Sequence, residues 1–283
     1  MMKKSFLLVV AVFVAFAAFS QDAAEMITKA NEALKANDFV QAFELYDKAM
    51  TNLGDVEVDK AINFNIGYAA MQANKNEEAL SYFDKAIEAG ANVSKCYEYK
   101  GSVYNKMKDY PNALASYEKA LEVSEGNGGA LLLNAAVTAY RLENFEKAVK
   151  YFDQAYQAGF KVEDALLNKA MALKKMDNDE AYKETLVTGA EKFPGNKKIT
   201  GALANVYVQE GNALYKDGVE ILNAANTKVN DGSLTTDDDA YKAEVEKAKA
   251  EFGKAAVVLE NALKLDPENQ NAQKLLEAIN AVK

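Results

Sequence analysis

The sequence predicts an all-α solenoid built from repeated pairs of antiparallel helices. A triplet of small, aromatic and small residues, spaced by four and then three positions, occurs four times. The copies are Ala42/Tyr46/Ala49, Ala79/Phe83/Ala86, Ala113/Tyr117/Ala120 and Ala148/Phe152/Ala155. Their first alanines are 37, 34 and 35 residues apart, a period typical of stacked supersecondary units. Three prolines and fifteen glycines in 283 residues also suit a helical chain.

The triplet spacing has a direct physical reason. Steps of four and three place the three side chains on one helical face, where the alanines let a neighbouring helix approach and the ring fills the gap. A second apolar stretch precedes each triplet, and Gly67 in one of these stretches is expected at a close helix contact. Each unit therefore predicts two antiparallel helices joined by a short polar turn. The turns are predicted at 36–38, 74–76, 108–109 and 143–144.

This arrangement resembles the tetratricopeptide repeat family. In that family a helix-turn-helix of about 34 residues carries Gly or Ala at its eighth position and Ala, aromatic, Ala in its second helix. The unit containing Gly101, Ala113, Tyr117 and Ala120 fits the pattern best. The resemblance implies a right-handed superhelix of about five to six repeats, closed by a C-terminal capping helix.

Six repeats and a capping helix are predicted after residue 20. Their bounds are 23–56, 60–92, 94–127, 129–161, 162–196 and 197–269, with the cap at 270–283. The fifth repeat has Thr185 at the aromatic position. In the sixth, one long helical pattern runs from Ile199 to Asn226, and a polar insertion over 230–239 precedes a helix that begins near Ala240.

The first twenty residues have the pattern of a secretory signal peptide. Lys3 and Lys4 precede an apolar run over 6–19 that is short for a membrane span, and small residues precede a cleavage point after Ser20. We expect an exported chain, periplasmic or secreted, that begins at Gln21 and has no membrane span. No cysteine directly follows the apolar run, so a lipoprotein anchor is not predicted. An uncleaved N-terminal anchor is the alternative.

Acidic residues outnumber basic ones. The chain has 33 lysines and arginines against 42 aspartates and glutamates, and loss of Lys3 and Lys4 would leave a net charge of −11. Arg141 is the only arginine. Nucleic-acid-binding proteins concentrate basic charge and favour arginine, so the composition argues against a nucleic-acid partner.

Neither enzymatic chemistry nor a cofactor is predicted. The sequence has no histidine, which removes Ser-His and Cys-His pairs and histidine metal sites. Cys96 lies beside Lys95 at a predicted helix start, where a thiol can be reactive. The favoured interpretation is that Cys96 is a small packing residue. Carboxylates are numerous enough for a paired-acid glycosidase, yet they fall on turns and solvated helix faces.

The acidic insertion has two interpretations. A calcium loop would need alternating oxygen ligands, a glycine at the sixth position and a glutamate at the twelfth, but Gly232 comes too early relative to the acids. We favour a turn at Asp231 and Gly232 followed by a helix capped by Thr235 or Thr236, with acids in its first turn. This interpretation requires no metal.

The family resemblance places partner binding on a concave face built from the first helices. The predicted contact residues are Asn31, Phe64, Asn65, Tyr68, Met71, Lys95, Asn105, Leu133, Val137, Tyr140, Arg141 and Leu173. Aromatic, Met and Arg side chains are enriched in protein interfaces, so the expected partner is another protein or peptide. An extended segment or an amphipathic helix would fit such a groove. The alternative is that several of these side chains contact neighbouring helices.

Some members of this family clamp a peptide's C-terminal carboxylate with Lys and Asn residues. Asn31, Asn65 and Lys95 fall on clamp positions, whereas Ile27 and Tyr99 replace the other basic residues. Because two cations are missing, the partial match is treated as coincidental.

The predicted function is a non-enzymatic scaffold or adaptor of the bacterial cell envelope. The alternative is a binding protein for an envelope glycan or small molecule, with Tyr68, Tyr97, Tyr104 and Tyr140 as stacking surfaces. A third possibility is a structural part of an envelope assembly held by its ends, including 270–283.

Overall fold

A computed structural model describes residues 22–54, 56–124 and 128–282. This part of the chain contains thirteen α-helices and no strand, which confirms the predicted all-α fold. The helices are α1 (22–35), α2 (Phe39–Thr51), α3 (Ile62–Gln72), α4 (Asn76–Glu88), α5 (Val93–Lys106), α6 (Tyr110–Val123), α7 (Gly129–Arg141), α8 (Phe145–Gln157), α9 (Val162–Lys175), α10 (Asp179–Lys192), α11 (Lys197–Asn230), α12 (Asp239–Leu265) and α13 (Gln270–Val282). The predicted signal peptide lies outside the described residues.

The helices form two compact units, one ending at Phe160 and the other beginning at Lys161. In the first unit each helix from α2 onward contacts the next, and α3 also contacts α5. In the second unit α9 contacts α10, α10 contacts α11, and α11, α12 and α13 contact one another. None of the described helices is both long and apolar enough to cross a bilayer.

The repeated aromatic residues form the core of the first unit. Tyr46, Phe83, Tyr117 and Phe152 are all at most 1% exposed. Phe83 and Tyr117 lie against a glycine on the first helix of their own repeat. A Cβ at Gly67 would lie 2.7 Å from Phe83 Cδ1, so the close contact predicted for this glycine is confirmed.

The turns within the repeats share a backbone conformation. The residue before each N-cap has a left-handed backbone, with φ between 53° and 63° at Asn37, Asn74, Lys108, Glu143 and Asp177. An Asp or Asn N-cap follows in four of these five turns and accepts a backbone hydrogen bond from the first turn of the next helix. The left-handed residue reverses the chain and the cap starts the second helix, so a short polar sequence is enough for each turn.

The second unit departs from the standard repeat length. The long helical pattern predicted from Ile199 to Asn226 is the single helix α11, and α12 begins one residue before Ala240. Thr185, at the aromatic position of the fifth repeat, is buried and donates to the Ala181 carbonyl. α13 packs on α12 and α11 through Ala272 and Ile279.

The prediction that Thr235 or Thr236 caps α12 is wrong. Asp238 is the N-cap, and its carboxylate accepts a 2.6 Å hydrogen bond from the backbone of Thr235. The threonines therefore lie in a turn that precedes the helix. Asp231 accepts from the backbone of Ser233 at 2.9 Å, and hydrogen bonds from Ser233 lower the pKa of Asp231. These carboxylates stabilise the insertion itself.

Candidate protein-binding surface

A cluster of half-buried rings lies on α2, α3 and α5 of the first unit. We call Phe39, Phe64, Tyr68 and Tyr99 the aromatic patch. The Tyr68 ring lies 5.8 Å from Phe39 and 5.5 Å from Tyr99, and Tyr99 stacks on Phe64 at 5.8 Å. Its inner side rests on buried Phe83, 5.9 Å from Tyr99. The structure therefore brings the predicted residues Phe64 and Tyr68 into one aromatic surface.

The composition of α3 explains why this helix is apolar both on its buried face and on the face that carries the aromatic patch. Ile62, Ile66 and the alanines at 69 and 70 are buried and fill the inner face. The remaining face carries Phe64, Tyr68 and Met71, which are only partly buried. The helix contains no charged residue. The partly exposed side chains of this face form the candidate contact surface.

A charged pair borders the aromatic patch. Lys95 Nζ lies 2.7 Å from Glu98 Oε2 and 5.9 Å from the centre of the Tyr99 ring. Burial raises the pKa of Tyr99, and the nearby Lys95 charge only partly offsets this effect. Lys95 is therefore paired within its own helix and forms a rim to the patch.

A second group of predicted residues lies at the C-terminal ends of α5 and α7. Arg141 Nη1 donates to Asn105 Oδ1 at 2.7 Å and its guanidinium lies 5.6 Å from the Tyr110 ring centre. Lys106 donates to Asn74 Oδ1. We call Lys106 and Arg141 the cationic edge. Both are exposed and donate to neutral amide oxygens.

Asn31 and Asn65, which fall on clamp positions, interact with a residue of the protein itself. The Tyr46 hydroxyl donates to Asn31 Oδ1 at 2.6 Å, and Asn65 is also a hydrogen-bonding neighbour of this hydroxyl. Burial raises the pKa of Tyr46 to about 12, so the phenol keeps its proton. Asn31 and Asn65 therefore orient a buried tyrosine, and with Lys95 paired to Glu98 the three do not form a free carboxylate site.

The assignment of Leu173 to the groove is wrong. Its side chain is 6% exposed, and Leu166 and Ala170 on the same helical face are also buried. That face of α9 is directed into the protein, so the predicted register does not hold in the fifth repeat. On α7, Leu133 and Val137 are half-buried, and Tyr140 lies 5.4 Å from Phe145.

Sequence reasoning missed several residues of this surface. Phe39 and Tyr110 were not assigned to it, and Tyr99 was considered only as the replacement of a basic residue. A signal was present, because Phe39, Tyr110 and Phe145 each follow an Asp or Asn N-cap directly. An aromatic residue at the start of the second helix therefore recurs with the repeat and contacts a residue on a first helix.

Other candidate chemistry receives little support. Cys96 is fully buried, and burial raises its pKa to about 11. Within the described ranges no group of three or more His, Cys, Asp or Glu residues is placed to hold a metal ion. A cleft of about 590 Å³ lies between α6, α7 and α8, away from the aromatic patch, and its Glu118 already accepts from Lys147 and Tyr151.

Two sequence models of the tetratricopeptide repeat match the chain, over residues 27–94 and 95–159. A TPR repeat-containing protein of Methanocaldococcus jannaschii is 25% identical over 262 residues, which are 88% of this chain and 41% of that protein. The Hsp70-Hsp90 organizing protein of Triticum aestivum is 27% identical over 137 residues, 48% of this chain and 21% of that protein. The chain thus spans less than half the length of these relatives.

Solved structures share the fold. A tetratricopeptide repeat protein from Parabacteroides merdae has a TM-score of 0.52 and 19% identity, covering 92% of this chain and 99% of that one. The C-terminal part of a TPR repeat-containing protein from Cytophaga hutchinsonii has a TM-score of 0.53 and 15% identity, covering 96% and 95%. Residues 27–159 therefore carry tetratricopeptide repeats, and the chain shares the fold of these solved tetratricopeptide repeat proteins.

Proposed function

We propose that this chain is a non-enzymatic protein-binding scaffold of the cell envelope, and that its first unit binds a partner polypeptide across the aromatic patch. Proteins built from tetratricopeptide repeats are in general protein-interaction scaffolds, which supports the general part of the proposal. The observation that carries the specific part is the contact among four partly exposed rings on adjacent helices.

The packing of these rings favours tight binding. A large aromatic side chain contributes about 150–250 Å² of surface when it is covered. Because Tyr99 and Phe64 already pack on Phe83, little side-chain freedom is left for a partner to restrict. Rigid aromatic anchors of this kind are typical of interface hot spots.

The groups around the patch define the chemistry of the partner. An apolar or aromatic side chain would cover Tyr68 and Tyr99, which offer ring faces and edges. The cationic edge lies farther along α5 and α7, where a carboxylate of the same segment would pair with Arg141. The partner segment therefore combines an apolar anchor with an acidic group.

An affinity capture with matched variants tests this proposal. The test variant is Tyr68→Ala/Tyr99→Ala, and the control is Tyr97→Ala/Tyr104→Ala, which removes two tyrosines outside the aromatic patch. Circular dichroism first establishes that both are folded. We expect proteins captured from envelope extract by the native chain and the control to be lost with the test variant. Equal capture by all three would contradict a role for the patch.

A direct titration then identifies the bound segment. Each captured protein is divided into overlapping peptides, and their affinities are measured by calorimetry with the native chain and with Arg141→Gln. The proposal expects an apolar peptide containing Asp or Glu, with weaker binding to Arg141→Gln. A peptide that binds both chains equally would remove the cationic edge from the interface.

The glycan alternative has less structural support. Tyr68 contacts Phe39 and Tyr99, and Tyr140 contacts Phe145. Within the described part of the chain, no ring contact joins any two of the four tyrosines considered as stacking surfaces. Soluble envelope glycans are therefore expected to leave the melting temperature unchanged, and a clear rise would favour the alternative.

We also propose that the chain is exported with removal of its leader. Support comes from the two lysines, the apolar run and the small residues before Ser20. Intact-mass measurement of the chain isolated from the native cell envelope is expected to give an N-terminus at Gln21. A chain that retains residues 1–20, or that remains in the cytosol, would contradict this part of the proposal.

A further inference from the structure

The long helices α11 and α12 pack against each other. α11 is 34 residues long, about 51 Å at 1.5 Å per residue. Its first turns pack on α10 through Ile199 and Leu203. We call residues 212–230 of α11 and 239–251 of α12 the arm. Within the arm the buried residues are Gly218, Ala225 and Ala248.

A narrow seam of small residues joins the two helices. Gly211, Gly218 and Ala225 follow at seven-residue steps on α11, and Ala248, Ala255 and Ala262 do so on α12. A Cβ at Gly218 would lie 2.6 Å from Phe252 Cε1, so the helices approach closely. Larger side chains such as Leu214, Ile221 and Leu222 are left at the edges, only partly buried. Two helices alone leave these edges uncovered, whereas a four-helix bundle covers them.

One edge of the arm carries a symmetric pattern. Asp217, Ile221, Ala224 and Lys228 are spaced by four, three and four residues, which places them in one stripe along α11. The stripe lines an open cleft of about 340 Å³. The order of the stripe is acid, apolar, apolar, base. When two copies lie antiparallel, each acid is opposite a base and each apolar residue is opposite an apolar residue. Glu220 and Glu244 also line the cleft. Glu244 is paired with Lys247 at 2.8 Å, and the Lys228 charge also helps to lower the pKa of Glu244.

We infer that the chain forms a homodimer in which this stripe packs antiparallel against the same stripe of a second copy. A two-fold axis between positions 222 and 223 places Asp217 opposite Lys228 of the partner subunit. The same axis places Ile221 against Ala224 of the partner subunit. Each contact is made twice, as an isologous interface requires. The two arms then form a four-helix bundle, and each dimer carries two copies of the first unit.

Charge reversal provides the test. The association of the purified protein is measured by sedimentation equilibrium, for the native chain, Asp217→Lys, Lys228→Asp and the double variant Asp217→Lys/Lys228→Asp. In each single variant like charges face each other twice, whereas the double variant restores opposite charges. We expect the dimer dissociation constant to rise at least tenfold in each single variant and to return to near the native value in the double variant.

Two further measurements make the test decisive. Lys216→Asp reverses an exposed charge beside the stripe but on another side of the helix, and it is expected to leave dimerisation unchanged. Circular dichroism checks that every variant keeps its helix content. A native chain that is monomeric at all concentrations, or a dimer unaffected by the single reversals, would overturn the inference. A double variant as weak as the single ones would overturn the antiparallel pairing.

Discussion

The Tyr151 hydroxyl donates a 2.8 Å hydrogen bond to Glu118 Oε1 and joins the second helices of two consecutive repeats. Lys147 Nζ donates to the same carboxylate oxygen at 2.6 Å. Tyr82 and Asp47 make the equivalent contact between the first two repeats at 3.1 Å. In both cases the acid directly follows a buried aromatic residue of the core triplet. The acid therefore links each of these repeats to the next.

The contact between the second and third repeats uses a different donor. Ser116 occupies the position held by Tyr82 and Tyr151 and is too short to reach the preceding repeat. Its hydroxyl donates to the Asn112 carbonyl instead. Asp84, which follows Phe83, accepts from Lys100. The position of the acid is thus retained while its donor changes.

Removing the Tyr151 hydroxyl should lower stability. Tyr151→Phe keeps the ring but removes a hydrogen bond to a charged group, which we expect to reduce the free energy of unfolding by about 1.5 kcal/mol. Urea unfolding followed by circular dichroism measures the change. Tyr97→Phe is the control, because in the described structure the Tyr97 hydroxyl has no hydrogen-bond partner. Equal losses in both variants would contradict a role for the contact.

Glu118 should make stability depend on pH. Burial raises its pKa, but hydrogen bonds from Lys147 and Tyr151 outweigh that effect and hold the pKa below its ordinary value of 4.5. The stabilisation is therefore present above the unfolded value and is lost as pH falls through the folded pKa. The stability difference between the native chain and Glu118→Gln should be greatest near neutral pH and narrow below pH 4.5. A difference that is constant with pH would contradict this assignment.

Gly101 should not tolerate a methyl group. A Cβ there would lie 2.6 Å from Tyr117 Cδ1, and the Tyr117 ring is buried. We expect Gly101→Ala to destabilise the protein by about 1–3 kcal/mol. Gly201→Ala, in α11, meets no atom within 4 Å and should stabilise by up to about 1 kcal/mol because alanine favours helix. Opposite shifts in thermal unfolding are the expected result.

Glycine should be favourable at the left-handed turns. Glu143 has φ 57°, a conformation that is unfavourable for residues with a Cβ by about 1 kcal/mol. Glu143→Gly is therefore expected to raise the melting temperature. Glu44→Gly, the same substitution in the middle of α2, should lower it, since glycine is a poor helix former. A lower melting temperature in both variants would show that the left-handed backbone at Glu143 does not destabilise the turn.

The Cys96 thiol should be unreactive in the folded protein. Burial raises its pKa to about 11, so very little thiolate forms at pH 8 and the sulfur is not accessible. Labelling with a chromogenic disulfide reagent should be negligible in buffer and complete in denaturant. Rapid labelling without denaturant would point to a reactive cysteine and reopen the enzymatic interpretation.

Much of the helix architecture was determined by the sequence alone. The triplets around Tyr46, Phe83, Tyr117 and Phe152 predict helical faces, and the polar segments between them coincide with turns. Both signals are local, because a helical face and an N-cap depend on residues within a few positions of one another. The same locality explains why the long pattern of α11 was recognised.

Only the tertiary structure decided which side chains remain available to a partner. Leu173 and Tyr68 both belong to apolar stretches of first helices, yet Leu173 is buried and Tyr68 is partly exposed. Tyr99 became part of the aromatic patch through contacts with rings about 30 residues earlier in the chain. Burial depends on what neighbouring repeats place opposite each residue, and that information does not lie within any single repeat.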